Sequence, residues 1–286
     1  MVSSAFAARL VRRHLRRWLA QARFAGLPIG QMPWLFGNSF PKSGTHLLTQ
    51  ILAGFTGLGP VAASGMPPVL TFEGASGLPR PLNAILADLE RLRPGDIGYG
   101  HLHALPQLVS KLTSPGAAAY FIYRDPRDVV VSHVFYVTDI SSRHVHHKYY
   151  MHQLKSFDQR LKVSILGRPE LKVPFPDVRA RFEPYLGWLE QPAVLSLRYE
   201  DLLQDTLGQL GRIWDYTLQR GFQTRSSREN GVQILARAIQ PENSPTFRSG
   251  GSGGWKKHFT PAHKKLFKTV TGDLLQRLGY EKDQNW

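Results

Sequence analysis

Cysteine is absent from this sequence of 286 residues. Its absence excludes disulfide bonds, thiolate nucleophiles and cysteine-ligated zinc, although it does not identify a compartment. Long apolar runs are also missing, and none approaches the roughly 20 residues that a membrane-spanning helix requires. We therefore expect a soluble or peripheral protein of the cytoplasm. The length and the 42% hydrophobic content suit one large domain with a sizeable core.

Acidic residues are scarce at the start of the chain, where the first of them is Glu73. The net charge of +15 attracts polyanions, anionic membranes or small multiply charged anions. Residues 3–24 have the pattern of an amphipathic helix whose arginines lie opposite an apolar side. That apolar side consists of Leu10, Val11, Leu15, Trp18, Leu19 and Ala22. We assign residues 1–28 to this basic helix and residues 29–286 to the main domain. Three interpretations of the helix stay open: packing on the domain with the basic face in solvent, peripheral membrane contact, or a transit peptide.

The sequence also lacks a complete Walker motif, but residues 40–46 have the composition of a phosphate-binding turn. A predicted buried strand, 34–39, precedes the turn, and a segment with helical spacing, 46–55, follows it. The N–H groups at a helix N-terminus attract an anion, and a lysine in the turn adds positive charge. The candidate ligands are Lys42, Ser43, Gly44, Thr45 and His46. An ordinary strand-to-helix loop is the alternative, because Gly37 is followed by Pro-Lys rather than by Gly-Lys.

Polar residues also follow two further predicted strands. Residues 98–103 predict a short strand with His101 near its end, and residues 117–123 predict a buried strand that Arg124 follows. Ligands gather at the carboxyl ends of parallel strands, so Lys42 and these two residues are expected to face one crevice. The sequence predicts an α/β fold, a single domain with a central parallel sheet flanked by helices, of the P-loop nucleotide-binding type.

Two later segments carry further basic and glycine residues. Residues 138–152 are rich in histidine, but they lack a familiar metal-ligand spacing and acidic partners, so they predict a mobile loop on the substrate side rather than a metal site. Residues 247–260 contain four glycines among basic residues, which suits close wrapping of a phosphate. A flexible linker is the alternative there, although Trp255 and Phe259 argue against plain disorder. Residues 261–278 predict one closing amphipathic helix.

Together these segments resemble, in order and spacing, those of the nucleotide-dependent sulfotransferases, whose donor is 3′-phosphoadenosine 5′-phosphosulfate (PAPS). The residues Pro41-Lys42-Ser43-Gly44-Thr45 match the family's turn for the 5′-phosphosulfate. The segment 120–128 with Ser132 resembles the element for the 3′-phosphate, which implies that Arg124 and Ser132 bind it. The segment 248–260 resembles a third element, which implies the same role for Arg248, Ser249 and the Gly250 backbone.

A fourth and weaker likeness lies at 198–202, and it implies that Tyr199 lies near the adenine. The sequence also departs from the family pattern. His46-Leu47 stands where the family often has a Trp that stacks on the adenine, and Ser249 replaces a Lys. The family's dimer motif is only half present, so the oligomeric state stays open.

The resemblance implies transfer of a sulfuryl group from PAPS to a hydroxyl acceptor, which leaves 3′-phosphoadenosine 5′-phosphate (PAP) and uses no metal. Such an in-line transfer needs a general base and positive charge on the leaving phosphate. His101 is the predicted base, with His103 as the alternative. Lys42 would stabilise the bridging oxygen, and Ser132 and Thr45 would donate hydrogen bonds to the same group.

Two other functions stay open at this stage. A Mg²⁺-dependent P-loop kinase or phosphotransferase would use Asp125 as a metal ligand beside Ser43 or Thr45. A basic nucleic-acid-binding protein is the other, but the cations lie in phosphate-sized turns, so no nucleic acid is expected. The acceptor could be a small molecule, a lipid or a glycan. The basic and aromatic residues of 137–155 favour an anionic or glycan acceptor over a plain hydrocarbon one.

Overall fold

The computed structural model describes residues 4–74, 76–244 and 251–286, with side chains from residue 8 onward. Six parallel strands form one sheet in the order β2-β4-β1-β5-β6, with β3 paired to β4. The strands are β1 (Trp34–Ser39), β2 (Ala62–Ala63), β3 (Val69–Leu70), β4 (Asp96–His101), β5 (Ala117–Tyr123) and β6 (Val194–Arg198). The predicted α/β fold with a central parallel sheet is therefore confirmed.

Helices cover both faces of this sheet. Before β5 lie α1 (Ser4–Arg23), α2 (Thr45–Gly54), α3 (Leu82–Glu90) and α4 (Pro106–Thr113). Between β5 and β6 lie α5 (Pro126–Phe135), α6 (His147–His152), α7 (Phe157–Leu166) and α8 (Val178–Leu186). After β6 lie α9 (Tyr199–Gln204), α10 (Thr206–Gln219), α11 (Arg228–Arg237), α12 (Pro261–Thr271) and α13 (Leu274–Arg277).

Successive side chains of the central strands enter two different cores. Phe36 and Phe121 pack with Trp188 on one face of the sheet, whereas Leu35 and Tyr120 pack on the other. Every residue of β1 is buried, as expected for a strand with neighbours on both sides and helices on both faces. Because β4 and β5 pair with β1 in parallel, their carboxyl ends lie beside that of β1.

The closing helix departs from the sequence prediction. Two helices, α12 and α13, replace the single helix expected over 261–278. The break follows Gly272, whose φ of +54° lies in the left-handed region. A glycine adopts this conformation without the steric cost that a β-carbon adds, so it ends α12 and lets the chain turn.

The amphipathic helix predicted over 3–24 is present as α1. One interpretation placed its basic face in solvent, but two of its arginines face the domain. Arg13 is 3% exposed and pairs with the buried Asp96 at the start of β4. Arg17 also pairs with Asp96, at 2.8 Å. A buried carboxylate needs such partners, and it draws Arg13 and Arg17 inward, while the other arginines of α1 with described side chains stay exposed. Packing with the whole basic face in solvent is therefore wrong. No helix in the described ranges is long and apolar enough to cross a membrane.

Candidate active site

The turn after β1 presents an uncapped helix N-terminus. Gly44 holds the N-cap position of α2 with φ +98°, and no side chain there bonds to the first-turn N–H groups. Lys42 also has a positive φ of 68°, which is unusual for a residue with a β-carbon. The Ser43 hydroxyl oxygen is buried and lacks a hydrogen-bond partner among the described residues. These free donors fit an anion at the start of α2.

His101 ends β4 beside this turn. Its Nδ1 lies 2.8 Å from the Ser39 carbonyl oxygen. A carbonyl oxygen only accepts, so Nδ1 carries the proton and Nε2 keeps its lone pair. Burial lowers the pKa of His101, and the nearby His46 and Lys42 lower it further, against the raising effect of the Ser39 bond. The ring is therefore neutral at pH 7 and has the tautomer that a general base needs.

Ser39 joins His101 to the turn at 40–46. Its hydroxyl lies 2.8 Å from Thr45 Oγ1 and 3.1 Å from His101 Nδ1. Ser39 is not among the site residues predicted from the sequence. Its position as the last residue of β1, directly before the turn, could have identified it as a candidate. The pairing of β1 with β4 brings Ser39 and His101 to the same edge of the sheet.

His103 has different neighbours. Its ring centroid lies 5.4 Å from that of Phe72 and 4.9 Å from that of Tyr185. Burial lowers the pKa of His103 to about 4. Its backbone N–H donates to Thr71 Oγ1 at 3.1 Å. His103 is thus neutral as well, but aromatic rings surround it and it does not share the Ser39 contact.

Lys42 is drawn toward the segment that follows α5. Its ammonium nitrogen lies 3.9 Å from the ring centroid of Tyr136. A cation over the electron-rich face of an aromatic ring is an attractive contact. Tyr136 begins a π-helical turn, Tyr136–Ile140, and it is not among the site residues predicted from the sequence.

Arg124, the residue after β5, contacts the glycine-rich segment. Its Nη2 donates to the Gly251 carbonyl at 2.8 Å, and its Nε is buried without a partner among the described residues. Asp128 Oδ2 lies 3.5 Å from Arg124, and the Asp128 carboxylate accepts the N–H of Gly253 at 2.7 Å and of Trp255 at 2.8 Å. Asp128 therefore holds the turn after β5 and the glycine-rich segment together.

Tyr199 lies between the two turns. The Arg124 guanidinium carbon lies 4.6 Å from the centroid of its ring. A β-carbon added to Gly44 would come within 2.6 Å of the same ring. Tyr199 is 8% exposed, and burial raises its pKa. The turn at 40–44 and Arg124 thus both pack against one aromatic side chain.

Not every predicted site residue enters this arrangement. Ser132 is half-buried on α5, and within the described ranges no hydrogen bond joins its hydroxyl to Lys42 or Arg124. His46, in the first turn of α2, has its pKa lowered by burial and by Lys42. Arg248, Ser249 and Gly250 lie outside the described residues.

A family model described as the sulfotransferase domain matches residues 83–279, well over half of the chain. The chain belongs to the sulfotransferase family. The family predicted from the sequence is therefore confirmed. The match begins after the turn at 40–46, so the part played by that turn rests on its own geometry.

Curated relatives and a solved structure agree with this assignment. The guinea pig 3-alpha-hydroxysteroid sulfotransferase is 26% identical over 257 residues, covering 81% of this chain and 80% of the relative. Human sulfotransferase 2A1 is 26% identical over 263 residues, covering 84% and 85%. The structure of a mouse sulfotransferase complexed with PAP superposes with a TM-score of 0.56 at 17% identity, covering 93% of each chain, and so supports the fold.

The surroundings of Asp125 in this sulfotransferase domain disfavour the kinase alternative. Its carboxylate accepts from Arg127 Nε at 3.0 Å and from Arg127 Nη2 at 2.7 Å, and it caps α5 through the Arg127 N–H at 2.8 Å. Burial raises the pKa of Asp125 and outweighs the opposing effect of Arg127. A carboxylate whose lone pairs are engaged in this way is poorly placed to bind Mg²⁺.

The histidine-rich segment of the sulfotransferase domain is packed rather than open, in contrast to the predicted loop. His133 of α5 stacks on Phe175, with ring centroids 4.8 Å apart, and its centroid lies 5.7 Å from that of His144. The centroids of His144 and His146 lie 5.4 Å apart. Burial lowers the pKa of all three, that of His144 to about 4. Apolar packing of neutral rings gives this segment its structure, which a count of histidines does not predict.

Proposed function

We propose that the chain transfers the sulfuryl group of PAPS to the hydroxyl of a small-molecule acceptor, with His101 as the general base. One observation carries the proposal. The uncapped turn at 40–44 and the turn that holds Arg124 lie at the same edge of the sheet as a neutral His101 in the proton-accepting tautomer. Two phosphate-sized sites beside a base suit a donor with phosphates at the 3′ and 5′ positions of its ribose.

The residues of the two turns fit this donor. The buried Ser43 hydroxyl and the Arg124 Nε have no hydrogen-bond partner among the described residues, so each offers a group that a phosphate oxygen could engage. Lys42, Ser43, Gly44, Thr45 and His46 would surround the 5′ end. Arg124 and Ser132, with Arg248, Ser249 and Gly250, would bind the 3′-phosphate. Tyr199 would lie near the adenine.

The proton and the charge have defined destinations in this proposal. When bound, PAPS supplies an electrophilic sulfur on a phosphate leaving group. The acceptor oxygen forms a bond to that sulfur as the bond between sulfur and the bridging oxygen breaks, and the leaving PAP keeps the electron pair. His101 Nε2 takes the acceptor proton. Lys42 moves from Tyr136 to the bridging oxygen, where its charge opposes the developing negative charge.

The aromatic surroundings of His103 support an apolar ring system in the acceptor. Phe72 and Tyr185 contact His103, which lies two residues from the base. Tyr185 is buried and Phe72 is 44% exposed, so Phe72 is the ring of the two that an apolar acceptor would contact. We therefore propose a steroid-like alcohol, in keeping with the name of the guinea pig relative, ahead of a lipid or a glycan.

Ligand-dependent thermal stability tests the donor. A ligand that binds only the native state stabilises it by about 2.7 kcal/mol at 100 times its Kd. We expect PAP to raise the melting temperature and ATP with Mg²⁺ to have little effect. A shift with ATP and Mg²⁺ alone would contradict the proposal and favour the kinase.

Paired histidine variants test the base. We expect His101→Ala to lower kcat by about 10²- to 10⁴-fold while PAP binding is retained, since general base catalysis has that size. His103→Ala is the matched variant, and we expect it to raise KM more than it lowers kcat. The opposite result, with kcat lost in His103→Ala alone, would assign the base to His103.

A further inference from the structure

The three most exposed large apolar side chains of the described residues, Val11, Trp18 and Leu15, belong to one side of α1. Val11 is 68% exposed, Trp18 66%, Leu15 56% and Leu19 51%. Residues 11, 15 and 18 are spaced four and three apart, which places them on one face of a helix, and Leu19 lies beside them. Exposed apolar side chains gathered into one stripe, rather than scattered, mark an interaction surface.

The outward orientation of this stripe is fixed by contacts on the opposite side of α1. Arg13 is buried against Asp96, and Arg17 donates to Asp96 at 2.8 Å and to the Pro94 carbonyl at 2.7 Å. Near the end of the helix, Gln21 accepts the Ile29 N–H at 2.8 Å. Because these polar contacts hold the inner side, the apolar stripe cannot turn toward the domain without breaking a buried ion pair.

Exposed arginines lie along one border of the stripe. At 100° per residue, Arg9, Arg12, Arg16 and Arg23 fall next to Leu19 on one border of the apolar side, and each is exposed. The helix contains no acidic residue. Arginine side chains can lie along apolar surface while their guanidinium groups reach a layer of phosphates. The charge pattern therefore complements an anionic surface above an apolar layer.

A second copy of the chain fits this surface less well. From Val11 to Leu19 the stripe covers eight residue steps, about 12 Å along the helix axis, and a width of about 10 Å gives about 120 Å². A stable protein interface buries about 800 Å² per partner. Two copies meeting here would also bring their arginines together, and like charges repel.

We propose that α1 is a membrane-surface anchor, which lies in the plane of an anionic bilayer with Val11, Leu15, Trp18 and Leu19 inserted among the lipids. The anchor leaves the site open. Asp96, which holds α1, is the first residue of β4, and His101 is its last. Helix and site therefore lie at opposite ends of a strand that spans about 16 Å.

Vesicle co-sedimentation of the full chain tests the anchor. We expect binding to vesicles of phosphatidylcholine with phosphatidylglycerol, weaker binding to phosphatidylcholine alone, and weakening by salt. Leu15→Glu with Trp18→Glu should lower the bound fraction at least about tenfold. Two single variants form a matched pair, because Leu19 is 51% exposed on α1 and Leu207 is 52% exposed on α10. Leu19→Glu should weaken binding and Leu207→Glu should not.

The possible results separate the alternatives. We expect Glu at these exposed positions to leave the fold intact. An unchanged melting temperature, and an unchanged increase of that temperature with PAP, will show this. Equal vesicle binding by wild type and the double variant overturns the proposal, and so does equal binding to the two vesicle types. A concentration-dependent dimer that the double variant abolishes, without vesicle binding, overturns it in favour of a second copy.

Discussion

Replacement of Gly44 by Ala tests how tightly the phosphate-binding turn is built. Gly44 has φ +98°, and an added β-carbon would lie 2.6 Å from Tyr199 Cδ2 and 3.1 Å from Ile122 Cδ1. Two independent costs follow, one from the backbone and one from contact. A left-handed residue with a β-carbon costs about 1–2 kcal/mol. Overpacking a filled site costs about 1–3 kcal/mol more.

We therefore expect Gly44→Ala to lower the free energy of unfolding by about 2–5 kcal/mol. Gly116→Ala is the matched control, because Gly116 has φ +83° and nothing within 4 Å of an added β-carbon. That variant should lose only the backbone part, about 1–2 kcal/mol. The difference between the two variants measures the contact with Tyr199 and Ile122.

Denaturant unfolding followed by circular dichroism gives both values, and PAP titration reports the site. We expect Gly44→Ala to bind PAP at least about tenfold more weakly, because displacement of Tyr199 also moves Arg124. Equal stability losses in the two glycine variants would refute the reasoning, since they would show that Tyr199 moves aside at no cost.

Two further predictions concern Asp128 and the buried histidines. Asp128→Asn leaves an amide group facing an N–H donor of Gly253 or Trp255, and we expect it to weaken PAP binding about 5- to 150-fold by calorimetry, from an unsatisfied-donor cost of about 1–3 kcal/mol. An unchanged Kd would show that the glycine-rich segment holds its place without Asp128. The pKa values of His103 and His144 are lowered to about 4, so the unfolded chain takes up their protons first. The contribution of these two histidines to stability is therefore greatest above pH ~6.5 and falls as the pH is lowered to about 4. Urea unfolding at a series of pH values should show the free energy of unfolding declining over that range. A flat profile would contradict this assignment.

The strand ends were predictable because their signals are local. An apolar run that stops at a polar turn identifies β1 and β5, β4 was predicted as a short strand over 98–103 rather than 96–101, and the parallel-sheet rule then brings Lys42, His101 and Arg124 to one edge. Local composition does not predict which distant residues these side chains contact. The Ser39 contact depends on how β1 and β4 align, and the grip of Asp128 on Gly253 spans 125 positions of sequence.

The orientation of α1 was unpredictable for a related reason. An amphipathic pattern defines two sides of a helix but not which side touches the domain. The deciding residue is Asp96, which lies 83 positions from Arg13 and is buried. A single buried carboxylate reversed the ordinary expectation that the apolar side faces inward.

The contact between Lys42 and Tyr136 has a consequence for turnover. An interaction that stabilises the ligand-free protein is subtracted from the affinity of any ligand that must break it. A cation over an aromatic ring is worth about 0.5–2 kcal/mol, which corresponds to a factor of about 2–30 in Kd. When PAP leaves, the ammonium has an alternative partner 3.9 Å from its nitrogen. If Lys42 binds the nucleotide as proposed, Tyr136 competes with the spent nucleotide for Lys42, and this competition would shorten the time for which the product is held.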